Sequence, residues 1–267
     1  MSSEPSKPQP GSWSHPATSQ RAFVCIEDLD WGSVKVADVG AGRGHFSYLL
    51  GEHLLAQGIE PGEHIFPCDL IPASFEYDQL ECRPILPDGR LPFEDHSLDA
   101  AISIEVIEHV EDQFAFLREL ARVVKPGGLV IVSTPNTLNA NSRVRNLVWG
   151  FPLLFDPLPL NQHDPRLLGG HIHPISPYFL AYNALRSGLD NLEFYGDRTK
   201  ASAVVWTILL SPFLWIGGLL NYMRLKRKHP EIAHANGRLI RAQSNWETLT
   251  SRTTILRTRV AETQVAG

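Results

Sequence analysis

The chain has 267 residues, 43% apolar and 20% charged, a composition that excludes a disordered polymer. Its net charge of −5 excludes a general nucleic-acid binder, whose footprint is basic. Three cysteines, Cys25, Cys68 and Cys82, show neither paired nor metal-ligand spacing, which implies a reducing compartment and no zinc site. That length holds one sizeable α/β domain with an extension.

In chain order, residues 1–18 are rich in Ser, Pro and Gln and lack an apolar signal-peptide core, so a disordered arm is expected there. A short helix is expected over Arg21–Asp28 and a buried strand over Val34–Val39. The turn Asp38-Val39-Gly40-Ala41-Gly42-Arg43-Gly44 follows. Phe46–Ala56 has apolar residues at helical spacing, and His64–Leu70 is a second short strand reaching Asp69. Asp99–Ile104 is a third strand, closed by Glu105. Phe114–Val124 is an amphipathic helix stopped by Lys125-Pro126-Gly127-Gly128, and Leu129–Ser133 is another apolar strand. Leu189–Tyr195 and Thr253–Val260 close the series as a strand pair. Strands apolar on both faces, alternating with helices, predict a doubly wound, mostly parallel sheet.

The glycine turn after the first strand admits NAD, a phosphate or S-adenosylmethionine. In the dinucleotide pattern G-x-G-x-x-G counted from Gly40, the third glycine falls at His45, and no Lys-Ser/Thr follows to build a phosphate loop. A pyrophosphate guest is therefore disfavoured.

The stretch resembles the class I S-adenosylmethionine-dependent methyltransferases, whose acid-x-G-x-G-x-G motif ends the first strand. The resemblance runs over about Val36–Asn136: Asp69 ends the second strand, Asp88-Gly89-Arg90-Leu91-Pro92-Phe93 is similar to a D-x-x-LPF stretch, and residues 105–112 read EVIEHVED. FLRELARVVKPGGLVIVSTPN (116–136) is similar to the helix, turn and fifth strand of the family. EVIEHV resembles most the branch of ubiquinone-biosynthesis-type O-methyltransferases. The resemblance implies a seven-stranded Rossmann-like sheet and S-adenosyl-L-methionine as cofactor. It implies cofactor contacts from Asp38, Gly40, Gly42, Gly44, Asp69 with Leu70 beside it, Asp88, Gly89 and Glu105.

On the acceptor side, Glu105, Glu108 and His109 follow the strand of residues 99–104. On a helix, Glu105 would share a face with Glu108 and with His109. The segment Gly170–Pro177 (GHIHPISP) resembles the branch's histidine-bearing stretch, with His171 in the histidine's place. His109 and His171 are candidate bases or acceptor contacts; proximity without any base also suffices for methyl transfer. His171 and His173 lack a third metal ligand in the sequence, so no metal is expected.

The segment Ala201–Met223 carries no charge over 23 residues and runs into Arg224-Leu225-Lys226-Arg227-Lys228. Its length suits a membrane span, but it lies within an insertion, residues 197–251, between two paired strands. Pro212 and Gly217-Gly218 are expected to break one helix into an in-plane or re-entrant hairpin, with the basic run on anionic lipid. The expected organisation is an arm (1–18), a methyltransferase core (19–196), the insertion (197–251) and a last strand with its tail (252–267). The expected protein is a cytoplasmic methyltransferase with peripheral membrane contact through 201–228, acting at oxygen on a small-molecule or lipid-linked acceptor. Two other readings compete: a soluble-substrate enzyme with the insert as a lid, and an inactive membrane-recruited scaffold.

Overall fold

A computed structural model describes residues 9–159 and 170–262. Seven strands form one sheet in the order β3-β2-β1-β4-β5-β7-β6. They are β1 (Val36–Val39), β2 (Ile65–Asp69), β3 (Arg83–Pro84), β4 (Leu98–Ile104), β5 (Val124–Pro135), β6 (Leu189–Gly196) and β7 (Thr253–Val260). The first five pair in parallel, and β7 enters antiparallel between β5 and β6. Every residue of β1 is buried, and β4 and β5 bury continuous apolar runs, because both faces of the sheet are covered.

One face carries α1 (Pro16–Val24) and α2 (His45–Ala56), whose Ala22, Phe46, Leu50 and Leu54 pack on Val36, Ile102 and Ile131. The other carries α3 (Gln113–Val123) and α5 (Pro177–Arg186), whose Leu117, Leu120, Leu180 and Ala184 pack on Val130, Val132 and Leu256. The strand order reverses between β1 and β4, which opens a crevice at their carboxyl ends. Helix α4 (Ala140–Trp149) follows β5.

Several expectations need correction. The helix expected over Arg21–Asp28 is α1, set earlier because Pro16 opens its first turn and the His15 ring accepts from Ala17 N. The arm expected to be disordered is ordered from residue 9, while residues 1–8 lie outside the described residues. Gly11 N donates to Glu76 Oε2 (2.9 Å), Ser14 Oγ approaches Ile104 O (3.5 Å), and the Trp13 ring lies against Gly42. The tail beyond residue 262 is also outside the described residues. Helix α3 ends at Val123, and Lys125-Pro126-Gly127-Gly128, expected as the stop between helix and strand, lies inside β5, which starts at Val124 because Val124 pairs with Leu98.

The insertion differs most. Helix α6 (Ala201–Lys228) runs unbroken for 28 residues, about 42 Å, through Pro212 and Gly217-Gly218. Proline at 212 leaves the Ile208 carbonyl without its backbone donor, and Ser211 Oγ donates to that oxygen at 2.9 Å instead. The reversal comes later, at His229-Pro230, where α7 (Pro230–Ala242) folds back so that Tyr222 Oη donates to Ala233 O (3.2 Å). A short α8 (Trp246–Thr250) then leads into β7, and Thr207 Oγ1 donates to Leu249 O (3.3 Å).

Candidate functional site

The glycine turn sits at the carboxyl end of β1, tied to β2 by Gly40 N and Ala41 N donating to Cys68 O (2.8 and 3.1 Å). Gly40 and Gly44 adopt φ of +75° and +90°, where a side chain is strained. A Cβ at Gly44 would stand 2.8 Å from the Phe75 ring, and one at Gly40 would collide with Val106. Asp38 lies buried beneath the turn and accepts from Ser47 Oγ at 2.7 Å. Burial, opposed by that hydrogen bond, pushes the Asp38 carboxyl up to about 7. Asp69 closes β2, with Oδ2 accepting from Gly42 N and Oδ1 from Ile71 N, both at 2.8 Å. Leu70, next along, is 71% exposed.

Asp88 and Gly89 lie on an exposed turn after β3, where Asp88 Oδ1 accepts from Arg90 N (3.0 Å). Glu105 adopts φ +54°, and only residues 107–109 form a helical turn, so the shared helical face expected of Glu105, Glu108 and His109 does not exist. Instead Glu105 Oε1 accepts from Arg252 Nη1 (3.0 Å) and Thr253 Oγ1 (3.1 Å), which ties the end of β4 to the start of β7.

Glu108 turns inward. Its side chain is fully buried and neither carboxylate oxygen has a hydrogen-bond partner. Burial pushes its carboxyl up to about 8. His171 Nε2 is 3.9 Å from Glu108 Oε1, and the His109 and His171 rings meet edge-on with centroids 4.8 Å apart. Burial and the neighbouring His109 lower His171 to about 4, and burial lowers His109 as well. The strap carrying His171 is bolted on by Ile172 N and His173 N, which donate to Glu108 O (2.9 and 3.0 Å). His109 Nδ1 donates to Gly170 O at 3.0 Å; a carbonyl only accepts, so Nε2 keeps its lone pair. At neutral pH the cluster is therefore an uncharged acid beside two uncharged imidazoles, one with a free basic nitrogen.

Glu108, His109 and His171 also place one ligand atom each within 4.8 Å of the others, a carboxylate-and-imidazole set suited to a divalent cation. Linear spacing conceals this set, because two members are adjacent and the third arrives from a distant strap. The sequence offers one hint, an acid between Ile107 and His109 in an apolar context.

Residues 37–132 match a family described as methyltransferase domain. The chain carries a class I S-adenosylmethionine-dependent methyltransferase domain. A probable S-adenosylmethionine-dependent methyltransferase of Mycobacterium tuberculosis is 50% identical over 50 residues, 19% of this chain and 18% of that protein. A ubiquinone biosynthesis O-methyltransferase of Neisseria meningitidis is 30% identical over 165 residues, 61% of this chain and 66% of that protein. The chain thus spans less than two thirds of the length of both curated relatives. In fold, an S-adenosylmethionine-dependent methyltransferase from Archaeoglobus fulgidus aligns with a TM-score of 0.54 at 14% identity, over 90% of this chain and 92% of its own.

The methyltransferase domain's residues fit S-adenosylmethionine. The glycines of the turn are held by positive φ and by close packing on Val106, Trp13 and Phe75, and the buried acids at the ends of β1 and β2 suit a cationic guest with ribose hydroxyls. Nothing in this turn resembles a phosphate cradle.

Proposed function

We propose that the protein transfers a methyl group from S-adenosylmethionine to an oxygen of a small acceptor that resides in, or is anchored to, the cytoplasmic face of a membrane. Bound S-adenosylmethionine supplies a sulfonium-activated methyl group. Asp69 holds the ribose side and Asp38 the amino-acid end, with Gly40, Gly42 and Gly44 giving the backbone close approach. His109 Nε2 takes the acceptor's hydroxyl proton as oxygen becomes methylated, while Glu108 and His171 stay neutral and pack the wall behind it. The name of the O-methyltransferase relative supports oxygen as the methylated atom.

One observation carries the membrane part. Helix α6 leaves most of its large apolar side chains outside the fold. Only Ala203 and Thr207 are buried, Val204, Leu210, Ser211, Leu214 and Gly217 are half-buried, and Leu209, Phe213, Trp215 and Ile216 are 58–77% exposed. Only 11% of its most apolar stretch is buried. The basic run 224–228 closes the helix, and α7, which bears Glu231, Arg238 and Arg241, returns beside it to the sheet domain. A helix crossing the bilayer would drag those charges into hydrocarbon, so α6 lies in the plane of the interface. Exposure of this face disfavours a packed lid.

The test is mass spectrometry of a lipid extract incubated with the protein and a trideuteromethyl donor. A labelled, organic-extractable product is expected, with His109→Ala lowering kcat and leaving S-adenosylhomocysteine affinity unchanged. Label appearing only in aqueous metabolites would overturn the membrane acceptor, and no label in either would favour the scaffold reading. A divalent cation at Glu108, His109 and His171 is the second chemistry the cluster supports. In that case EDTA abolishes turnover and Mg²⁺ or Zn²⁺ restores it; under the proton-acceptor reading, EDTA changes nothing.

A further inference from the structure

Thr199 and Ser251 form an antiparallel bridge at the root of the insertion, where the chain leaves β6 and re-enters β7. Arg252 N donates to Arg198 O (3.1 Å) and Lys200 N to Thr250 O (3.0 Å) on either side of it. Side chains alternate across such a ladder, so Arg198, Lys200 and Arg252 fall together on the face opposite Thr199 and Ser251. Three cations thus crowd one small patch. Burial lowers the Lys200 ammonium, and Arg252 and Arg198 lower it further.

Two acids, Asp197 and Glu105, adjoin the patch. Asp197 Oδ1 accepts from Arg252 N (3.1 Å) and Thr253 N (2.9 Å), and its Oδ2 from Thr18 Oγ1 (3.2 Å). Glu105 serves Arg252. Arg198 reaches Asp197 only at 3.8 Å, and its Nη1 is buried without an acceptor. Lys200 makes no ion pair or hydrogen bond through its side chain among the described residues. Helix α6 starts one residue later with no side-chain cap and no acid in its first turn, which adds the positive end of a 28-residue helix. Three cations against these two acids leave one net positive charge, carried by Lys200, which an anion would offset.

We propose that Arg198, Lys200 and Arg252 form a binding site for a phosphate group. A guanidinium fork, an ammonium and open helix N–H groups together match a tetrahedral oxyanion better than a planar carboxylate. The patch adjoins Glu105 at the carboxyl end of the sheet and stands at the foot of α6. A phosphate held there would orient an amphiphile with its apolar part along the exposed helix. This role, but not the site, rests on the membrane-acceptor reading; the phosphate belongs either to a lipid headgroup or to a soluble phosphate ester.

The experiment is calorimetry on the full chain at low ionic strength, with inorganic phosphate and with dihexanoyl phosphatidic acid below its micellar concentration. S-adenosylhomocysteine is titrated on the same samples. One equivalent of phosphate should bind, and Lys200→Gln should weaken it about tenfold, the effect of removing a single charge-assisted hydrogen bond. The S-adenosylhomocysteine affinity should not move, and the melting midpoint without phosphate should hold or rise slightly, since the Lys200 side chain has no partner to lose and its repulsion with Arg198 and Arg252 is relieved. Arg198→Lys, which keeps the charge but removes the fork, should give an intermediate effect. Tighter binding of the short-chain lipid identifies a headgroup site, and equal binding a soluble phosphate ester; either result supports the site. Phosphate binding that ignores Lys200→Gln, or that falls instead when residues 224–228 are neutralised, overturns it. Failure of the methyltransferase reading would show separately, as no binding of S-adenosylhomocysteine.

Discussion

At the glycine-turn end of the sheet, polar groups are inside and engaged: Asp38 with Ser47, Asp69 with Gly42 and Ile71. Along α6 the arrangement is reversed, with Thr207 buried and Phe213 and Trp215 turned out. In the first region, buried acids tolerate their desolvation because hydrogen bonds and a cationic guest compensate it. In the second, the exposed aromatics fit the proposed interfacial placement, in which the outer solvent is lipid and not water. Both regions break the rule that polar groups face out, and each names its missing partner by the way it breaks it.

The largest expected effect comes from making α6 an ordinary surface helix. Replacing Leu209, Phe213, Ile216 and Leu220 by Gln should cost about 4 kcal/mol of vesicle affinity, roughly a thousandfold, since each forfeits about half the transfer energy of a fully buried side chain. The melting midpoint in water should hardly change, because these side chains touch little of the protein. Flotation on anionic vesicles measures the first and scanning calorimetry the second; unaltered flotation rejects the interfacial helix. Neutralising Arg224, Lys226, Arg227 and Lys228 to Gln should remove about 1 kcal/mol each at low salt and flatten the salt dependence.

At the other region, Asp69→Ala should weaken S-adenosylhomocysteine by roughly ten- to hundredfold, about 1.5–3 kcal/mol, because charge-assisted hydrogen bonds to the ribose are removed. NAD should not bind in the same calorimetric titration. An unchanged affinity in the variant contradicts the ribose-side role of Asp69.

A smaller effect follows from protonation. The Asp38 carboxyl sits at about 7 in the unliganded fold, and a cation binds its ionised form. Cofactor affinity should therefore be flat above pH 7 and fall by up to about tenfold per unit below it, with proton release on binding near neutrality. Asp38→Asn should abolish the slope, and a wild-type profile flat from pH 5.5 to 8 contradicts the assignment.

The smallest effect is on stability. Glu108 is raised from 4.5 to about 8, so the folded state holds one more proton than the unfolded state between those values. Its contribution is present below pH 4.5 and is lost as pH rises through about 8. His171 acts oppositely, but only below 6.5, as its folded value is about 4. From pH 7 to 8.5 Glu108 dominates, and the melting midpoint should drop by a few degrees. In Glu108→Gln most of that drop should vanish, leaving the smaller loss from Asp38, which is raised to about 7.

Much of the core is legible in the sequence because it is local. The alternation of β-branched runs with helical spacing, the turn of residues 38–44 and the acid at 69 each lie within one element and its neighbour, so linear order is enough to read them. The boundaries that shift, α1 at Pro16 and β5 at Val124, are moved by partners from elsewhere in the fold. Glu108 is conspicuous in the sequence, but its burial depends on a strap that arrives from residues 170–173. The grouping of Arg198 and Lys200 with Arg252 depends likewise on a bridge across the whole insertion.

The amino-acid order alone determined an α/β sheet with a glycine turn built for a cofactor, and an uncharged segment long enough to meet a membrane. Backbone chemistry at 38–44 and apolar run length suffice for both, because each is a property of consecutive residues. Tertiary structure decided that Ser211 repairs the helix at Pro212, that α7 folds back beside it, and that the large side chains of α6 face outward. Those outcomes turn on which groups find partners across space, and burial in a folded chain is a property of neighbours that sequence distance does not encode.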